Sequence, residues 1–238
     1  MIRKTNLANR GNYGSSRSTS AIKYIVLHYT SNDGDTDESN GKYFHNNDVD
    51  SSAHYFVDSD SVTQSVPDNY VAWAVGGKKY PSCAQTGGGK FYGKCTNTNS
   101  LSIEMCDDKK DGTVQASDKT IANAQQLTRE LMKKYNVPLE NVIRHFDVVG
   151  KLCPAYYVDE AKWATFKAGL EEDDMTKEEV IKIIEEYEAE KAKKAVSSWA
   201  KTAWAEAKAN GILDGTAPQS GTTREQIAVI LSRLGLLK

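Results

Sequence analysis

The stretch Ile22-Lys23-Tyr24-Ile25-Val26-Leu27-His28 predicts the strand around which this 238-residue chain is organised. β-Branched and aromatic residues dominate it, which favours a buried strand. His28 stands where the apolar run ends, and such positions often carry functional side chains. His28 is therefore a candidate ligand, although an isolated histidine after a strand is more often a partly buried polar residue.

Patterns typical of strands and helices alternate through the first 170 residues. We predict a helix over 34–47, a hairpin of strands 53–57 and 62–66, a strand over 101–105, a helix capped by Asp118 and running to Asn136, a short strand over 141–144, and a closing helix over 159–170. Segment 76–99 is rich in Gly, Lys, Tyr, Asn and Thr, which predicts a long surface loop that either contacts substrate or is a tolerated insertion. The alternation indicates an α/β fold.

The composition argues against two classes of function. A formal net charge of -2 gives no electrostatic reason to bind nucleic acid. No apolar run approaches the roughly 20 residues needed to cross a bilayer, so we predict no membrane span. Residues 1–20 are polar and lack the apolar core of a secretory signal, so we expect synthesis and initial residence in the cytoplasm.

The four cysteines are too few to form a disulfide framework in a chain of this length. Cys83 and Cys95 flank a Gly-rich segment, and the sequence leaves open whether they pair outside the cell or remain unrelated thiols. Cys106 follows a predicted strand and is expected to be packed in the interior. Cys153 requires a separate explanation because a histidine and a lysine lie close to it.

The segment Arg144-His145-Phe146-Asp147-Val148-Val149-Gly150-Lys151-Leu152-Cys153-Pro154 carries the candidate chemistry. Two imidazoles, His28 and His145, together with the thiolate of Cys153 can bind Zn²⁺ and leave a fourth position for water. Asp147 is a candidate hydrogen-bond partner for a ligating imidazole. Cys153 remains open to a second interpretation as a buried structural thiol.

Five motifs stand in the same order as in one known family. They are Leu27-His28-Tyr29-Thr30, Ser52-Ala53-His54-Tyr55-Phe56, Ala72-Trp73-Ala74, Ser100-Leu101-Ser102-Ile103-Glu104, and Arg144-His145 with Lys151-Leu152-Cys153-Pro154. Over residues 22–170 the chain resembles the zinc-dependent N-acetylmuramoyl-L-alanine amidases, which include phage endolysins and peptidoglycan recognition proteins. The resemblance implies a mixed central β-sheet flanked by helices, and it is strongest to endolysins of phages and prophages of Gram-positive hosts.

The resemblance implies specific roles at matching positions. The zinc ligands fall on His28, His145 and Cys153, the last in a place where other members carry aspartate. The catalytic glutamate falls on Glu104, which would accept a proton from the attacking water, and the conserved lysine falls on Lys151, which would stabilise the oxyanion.

Two further positions keep alternative interpretations. His54 stands where relatives carry tyrosine or histidine, so it either lies near zinc and orients substrate or water, or forms a structural hydrogen bond. Trp73 is either a core aromatic residue or the wall of a sugar-binding cleft, and Ala74 stands where relatives often carry histidine. His45 is expected to be a surface residue.

The leading expectation is a peptidoglycan hydrolase that cleaves the amide between N-acetylmuramic acid and L-alanine. Such an endolysin would be made in the host cytoplasm and would act on the cell wall after release. The first alternative is a protein that binds peptidoglycan and retains the metal site without turnover. The second is a cysteine hydrolase that uses Cys153 with His145 as its base.

A composition change at Glu171-Glu172-Asp173-Asp174 predicts the end of the catalytic domain. We therefore expect a catalytic domain over 1–170, a charged linker helix over 171–194 and a small helical domain over 195–238. An apolar stripe of Val180, Ile183, Ile184 and Tyr187 marks the linker helix. Met175 stands at the boundary and is a candidate internal start that would yield a separate binding subunit.

The last segment contains Trp199-Ala200, Trp204-Ala205, residues 209–215, Thr223-Arg224-Glu225-Gln226 and residues 231–234. These motifs resemble one S-layer-homology repeat, which implies binding to a secondary cell-wall polymer. A helical packing or dimerisation unit is the alternative, since Trp and Ala at helical spacing commonly form a core. Because one repeat buries little surface, region 175–238 is also predicted to bring several copies together.

Overall fold

A computed structural model describes residues 1–171 and 177–237 of the chain. The chain divides into two compact units, Met1–Glu172 and Asp173–Lys238. This division falls two residues beyond the expected end of the catalytic domain, and the expected linker helix lies in the second unit except for its first two residues. Met175 lies outside the described residues, so its role as an internal start stays a prediction.

The first unit contains eight strands and five helices among its described residues. The strands are β1 (Ile2–Thr5), β2 (Tyr13–Ser16), β3 (Tyr24–Tyr29), β4 (Tyr55–Val57), β5 (Ser61–Gln64), β6 (Tyr70–Ala72), β7 (Ser100–Met105) and β8 (Val142–Arg144). The helices are α1 (Asp37–Asn46), α2 (Cys83–Thr86), α3 (Asp118–Tyr135), α4 (His145–Val149) and α5 (Glu160–Glu171).

Six strands form one mixed sheet in the order β1-β5-β4-β7-β3-β8, and β2 pairs with β6 in a separate two-stranded sheet. β3 lies between β7 and β8 and runs parallel to both. β4 and β5 form the predicted antiparallel hairpin. The predicted α/β class with a mixed central sheet is confirmed.

One face of the sheet forms the main hydrophobic core. Leu27 and Ile103 project to this face and pack with Leu127 of α3 and Phe166 of α5. Because strand residues alternate between faces, the neighbours of these residues point to the opposite side. His28 of β3 and Glu104 of β7 therefore share the face that α3 does not cover.

The cap of α3 differs from the prediction. The Ser117 side chain accepts a hydrogen bond from the backbone N–H of Thr120, so Ser117 is the N-cap and Asp118 is the first residue of the helix. A serine hydroxyl satisfies the exposed amide, and the adjacent Asp118 carboxylate lies favourably in the first turn. The helix ends at Tyr135, and Asn136 adopts a left-handed conformation with a φ of 52°.

Segment 76–99 is only in part the surface loop that its composition predicts. It contains the short helix α2, and Cys83 and Cys95 within it are buried. Both are free thiols, as is Cys106, which is also buried. Cys83 and Cys95 are thus unrelated thiols in this structure, and Cys95 packs against Val26 and Val148 on the second face of the sheet.

The second unit contains the helices α6 (Lys177–Lys193), α7 (Lys201–Ala209) and α8 (Arg224–Arg233). α6 exposes its predicted apolar stripe, with Val180, Ile183, Ile184 and Tyr187 each at least 41% exposed. Among the described residues, no helix combines the length and the apolar character that a bilayer crossing requires.

Candidate metal centre

The pairing of β3 with its two neighbours brings the distant motifs together. His28 lies directly opposite Glu104 in the parallel pair of β3 and β7. On the other side of β3, Leu27 pairs with Arg144 at the end of β8. His145 follows immediately, at the first position of α4, and therefore lies beside His28.

Cys153 reaches the same point through the loop after α4. Its backbone carbonyl accepts a 2.9 Å hydrogen bond from the N–H of Phe146. Its Sγ lies 3.8 Å from Nδ1 of His28, and the imidazole centroids of His28 and His145 are 4.6 Å apart. One nitrogen from each ring and the sulfur all lie within 4.8 Å of one another.

These three side chains fit a tetrahedral zinc ion. Zinc bonds of about 2.3 Å to sulfur and about 2.0 Å to nitrogen would separate the two ligand atoms by about 3.5 Å, close to the observed 3.8 Å. Within the described part of the chain, Nε2 of His28 and both ring nitrogens of His145 are buried without a hydrogen-bond partner. Buried polar atoms normally have partners, so an unpaired nitrogen of His145 is available to bind a metal ion.

Burial also sets the protonation of the three groups. It lowers the pKa of His28 well below its usual value, with the nearby His145 and Lys151 adding to the effect. It likewise lowers the pKa of His145 to about 4, so both imidazoles are neutral at pH 7. The same burial raises the pKa of the Cys153 thiol to about 12, so a nearby cation is needed to form the thiolate.

Glu104 lies next to these three side chains. Its Oε1 is 3.8 Å from Nδ1 of His28, and its Oε2 is buried without a hydrogen-bond partner among the described residues. Burial raises the pKa of Glu104 to about 8, and the ammonium of Lys151 opposes that rise. Lys151 itself is exposed, directly after Gly150 ends α4.

His54 lies on the same face of the sheet but is held by its own partners. Its Nδ1 accepts a 3.1 Å hydrogen bond from the backbone N–H of Ser102, and its Nε2 lies 3.0 Å from a guanidinium nitrogen of Arg17 and 3.2 Å from the carbonyl oxygen of Tyr70. Burial and the adjacent Arg17 guanidinium lower its pKa to about 3. These contacts favour the structural hydrogen-bonding interpretation of His54.

Trp73 and His45 lie elsewhere. Trp73 is half-buried directly after β6, and a Cβ added to Gly14 would come within 3.1 Å of its indole Nε1. His45 is exposed on α1, where its Nδ1 lies 2.7 Å from the carbonyl oxygen of Leu7. Neither side chain belongs to the histidine and cysteine cluster.

Arg144 is a residue that sequence reasoning missed. Only 2% of its side chain is exposed, and its guanidinium donates hydrogen bonds to both carboxylate oxygens of Asp147, to the carbonyl oxygen of Tyr157 and to Glu160. Asp147 therefore bonds Arg144 and not an imidazole, since the adjacent cation outcompetes a neutral ring. The only feature of the sequence that could have indicated this role is the position of Arg144 directly before the candidate ligand His145.

Comparison with known proteins identifies the family. The family described as N-acetylmuramoyl-L-alanine amidase matches residues 18–156. This chain belongs to that amidase family. The matched segment contains all three clustered side chains, Glu104 and Lys151.

Named relatives support the assignment. The amidase CwlL of Bacillus licheniformis is 35% identical over 152 residues, which cover 61% of this chain and 40% of that protein. BlyA of Bacillus subtilis strain 168 is 34% identical over 153 residues, again 61% of this chain and 40% of the relative. The chain thus matches about two fifths of the length of these two curated relatives.

Two solved structures have a fold similar to that of this chain. The catalytic domain of XlyA is 30% identical with a TM-score of 0.56, and the match covers 71% of this chain and 99% of that domain. The structure of PlyL is 29% identical with a TM-score of 0.58, covering 74% of this chain and all of PlyL. The amidase fold therefore occupies the first unit of this chain.

Proposed function

We propose that this chain is a zinc-dependent peptidoglycan hydrolase that cleaves the amide between N-acetylmuramic acid and L-alanine. The observation that carries the proposal is the meeting of His28, His145 and Cys153 beside the partly buried carboxyl group of Glu104. Zinc bound there would polarise the scissile carbonyl group and lower the pKa of water. Family membership supplies the substrate class.

The protein's own groups divide the remaining work. Glu104 accepts the proton of the attacking water and returns it to the leaving amine, because its carboxyl group lies beside the three proposed ligands. Lys151 stands exposed at the rim, where its ammonium stabilises negative charge that develops on the carbonyl oxygen. His54 has a structural role, through its hydrogen bonds with Ser102 on the same face of the sheet.

The geometry argues against a cysteine nucleophile. Cys153 is only 3% exposed, and its pKa of about 12 leaves almost no thiolate at neutral pH without a cation. A hydrolase of that kind would work without metal. Bound zinc at one equivalent per chain, with activity lost on chelation and restored by Zn²⁺, is the result we expect.

The decisive experiment measures new amino groups released from purified cell walls. The full chain should release L-alanine amino termini, whereas Glu104→Gln should bind the same walls and retain zinc without releasing them. Binding of walls by the unaltered, zinc-loaded chain with no amine release would instead establish the non-hydrolytic alternative.

We further propose that the second unit binds a secondary cell-wall polymer and holds the enzyme on the wall. A cavity of about 470 Å³ lies within this unit and is lined by Trp204, Asp214, Glu225 and Arg233 among others. An aromatic ring with charged and polar neighbours suits a polar polymer. Trp204→Ala should weaken binding to intact walls but not to walls stripped of these polymers.

Self-association through region 175–238 is a separate proposal. The exposed stripe of Val180, Ile183, Ile184 and Tyr187 on α6 supports it, because a helix rarely leaves such a stripe in water. Sedimentation of the full chain should show a species larger than a monomer, and Ile183→Glu should return it to a monomer.

We place the site of action at the cell wall.

A further inference from the structure

Asp107 is a buried acidic residue that the proposed chemistry does not use. It lies two positions after the end of β7, in the loop that leads to α3, and it is only 2% exposed. Neither of its carboxylate oxygens has a hydrogen-bond partner among the described residues. Buried polar atoms normally have partners, and buried charges are normally paired or bound to a metal ion. The Asp107 carboxylate therefore needs a positively charged partner.

Two loops meet at Asp107. Its backbone carbonyl oxygen accepts hydrogen bonds from the N–H groups of Gly34 at 2.8 Å and Asp35 at 3.0 Å, in the loop that follows β3. Its own N–H donates to Oδ1 of Asp35 at 2.8 Å. Farther along the second loop, the N–H of Asp111 donates to Oδ1 of Asp33 at 3.0 Å. The loops after β3 and β7 are thus joined at two points.

This contact brings four acidic residues together. Burial raises the pKa of Asp107, and the negative charges of Asp33, Asp35 and Asp111 raise it further. The lysines at positions 109–110 are exposed, and within the part of the chain that the structure describes neither forms an ion pair with Asp107. A cation from solvent would supply the positive charge that the buried carboxylate lacks.

The available donor atoms favour calcium. Oδ1 of Asp33 and Oδ1 of Asp111 accept hydrogen bonds from neighbouring groups, which leaves Oδ2 of each outside these bonds. Both residues are exposed. With Asp107 they offer oxygen donors alone, which suit hard cations. Ca²⁺ takes about six to eight oxygen ligands in irregular arrangements, whereas Mg²⁺ requires a near-ideal octahedron, so two irregular loops suit Ca²⁺ better.

We propose that Asp33, Asp107 and Asp111 bind one Ca²⁺ ion, which ties the loop after β3 to the loop after β7. The site is separate from the proposed zinc centre, and the inference does not depend on the proposed amidase function. These three carboxylates do not converge as closely as the three proposed zinc ligands do, so Asp33 and Asp111 turn toward Asp107 when the ion binds. Because of this rearrangement we expect weak affinity, with a Kd of about 10⁻⁴ to 10⁻³ M, as in extracellular calcium modules.

The stability of the zinc-loaded full chain in CaCl₂ tests the site. At about 10 mM Ca²⁺ the equilibrium constant for folding should rise about 10- to 100-fold, because binding to the folded chain alone raises it by the factor 1 + [Ca²⁺]/Kd. Urea titrations measure this change. MgCl₂ at the same concentration is the control for ionic strength and for unspecific binding of divalent cations, and it should have little effect.

Asp107→Asn should remove the response to Ca²⁺. Without Ca²⁺ this variant should be at least as stable as the unaltered chain, because it lacks the unpaired buried charge. A carboxylate that only supports the loop would instead destabilise the chain in both conditions when it is replaced. Asp111→Asn changes an exposed side chain, so the variant should fold, and its Kd for Ca²⁺ should rise at least about tenfold because one charged ligand is lost.

Asp60→Asn is the matched control. Asp60 belongs to a different acidic group, in which carboxylate oxygens of Asp37, Asp58 and Asp60 lie within 4.8 Å of one another. Oxygens of Asp37 and Asp58 already accept hydrogen bonds from the chain, so this variant should keep the full response to Ca²⁺. No response of the unaltered chain, an equal response to Mg²⁺, or a response that persists in Asp107→Asn and Asp111→Asn would overturn the proposal.

Discussion

Asp147→Asn should weaken zinc binding without touching a ligand. Asp147 accepts hydrogen bonds from the Arg144 side chain at 2.7 and 2.9 Å and from the Arg144 backbone N–H at 2.8 Å. That backbone directly precedes His145. The same guanidinium donates to the carbonyl oxygen of Tyr157 at 2.6 Å, four residues after Cys153. One buried ion pair therefore positions two of the three proposed ligands.

The expected magnitude follows from burial and from the partners that remain. Removing one member of a buried ion pair costs about 3–5 kcal/mol. We expect the lower end of that range, about 3 kcal/mol, because Glu160 still accepts a 2.9 Å hydrogen bond from Arg144. Groups that orient metal ligands typically change metal affinity by about 10- to 100-fold, so a loss of that size in zinc affinity is expected.

The assay measures zinc affinity by competition for Zn²⁺ between the metal-stripped chain and a chromophoric chelator. It is performed under conditions in which urea unfolding shows that the variant is folded. Asp68→Asn is the matched control, since Asp68 is also buried and accepts hydrogen bonds from Tyr55, Tyr135 and Lys134. It should lose comparable stability and keep its zinc affinity. An Asp147→Asn variant that binds zinc within twofold of the unaltered chain would refute the reasoning.

Three further outcomes are expected. Glu104→Gln should lower amide hydrolysis about 10²- to 10⁴-fold with zinc content unchanged, and loss of zinc would assign it a ligand role instead. The pH dependence of stability is best measured in metal-free Glu104→Gln, because the raised pKa of Glu104 would have the opposite effect on stability. The free energy of unfolding of this variant should fall as pH drops from about 6.5 to about 4. Over that range His145 becomes protonated in the unfolded chain but stays neutral in the folded chain, where its pKa is about 4. Urea titrations that give a flat profile would contradict this. Zinc binding near neutral pH should release more than one proton, from Cys153 (pKa about 12) and in part from Glu104 (pKa about 8). Calorimetry in buffers of different ionisation enthalpy measures this number of protons. Proton uptake, or no proton release, would contradict the prediction.

The strands that carry the site were predictable because their apolar residues are local signals. The runs ending near His28 and Glu104 and the short run before His145 predicted β3, β7 and β8. Their order and register were not predictable in this way. The alignment of His28 with Glu104 depends on parallel pairing between segments about 75 residues apart, which no local pattern specifies.

Segment 76–99 shows where composition misleads. Its Gly, Asn and Thr residues predicted an exposed loop, yet Cys95 is only 2% exposed and packs with Val26 and Val149. The buried residues are isolated in sequence and have neither helical nor strand spacing, so periodicity could not detect them.

Burial of four titratable side chains at one point requires that their charges balance. Without a cation, burial keeps His28 and His145 neutral and retains the protons of Cys153 and Glu104, so the buried centre carries no net charge. A divalent cation that displaces those two protons leaves the net charge at zero, which a low-dielectric interior tolerates. A buried Lys151 would upset this balance. Its exposed position keeps its charge out of the centre and available to a carbonyl group that arrives from solvent.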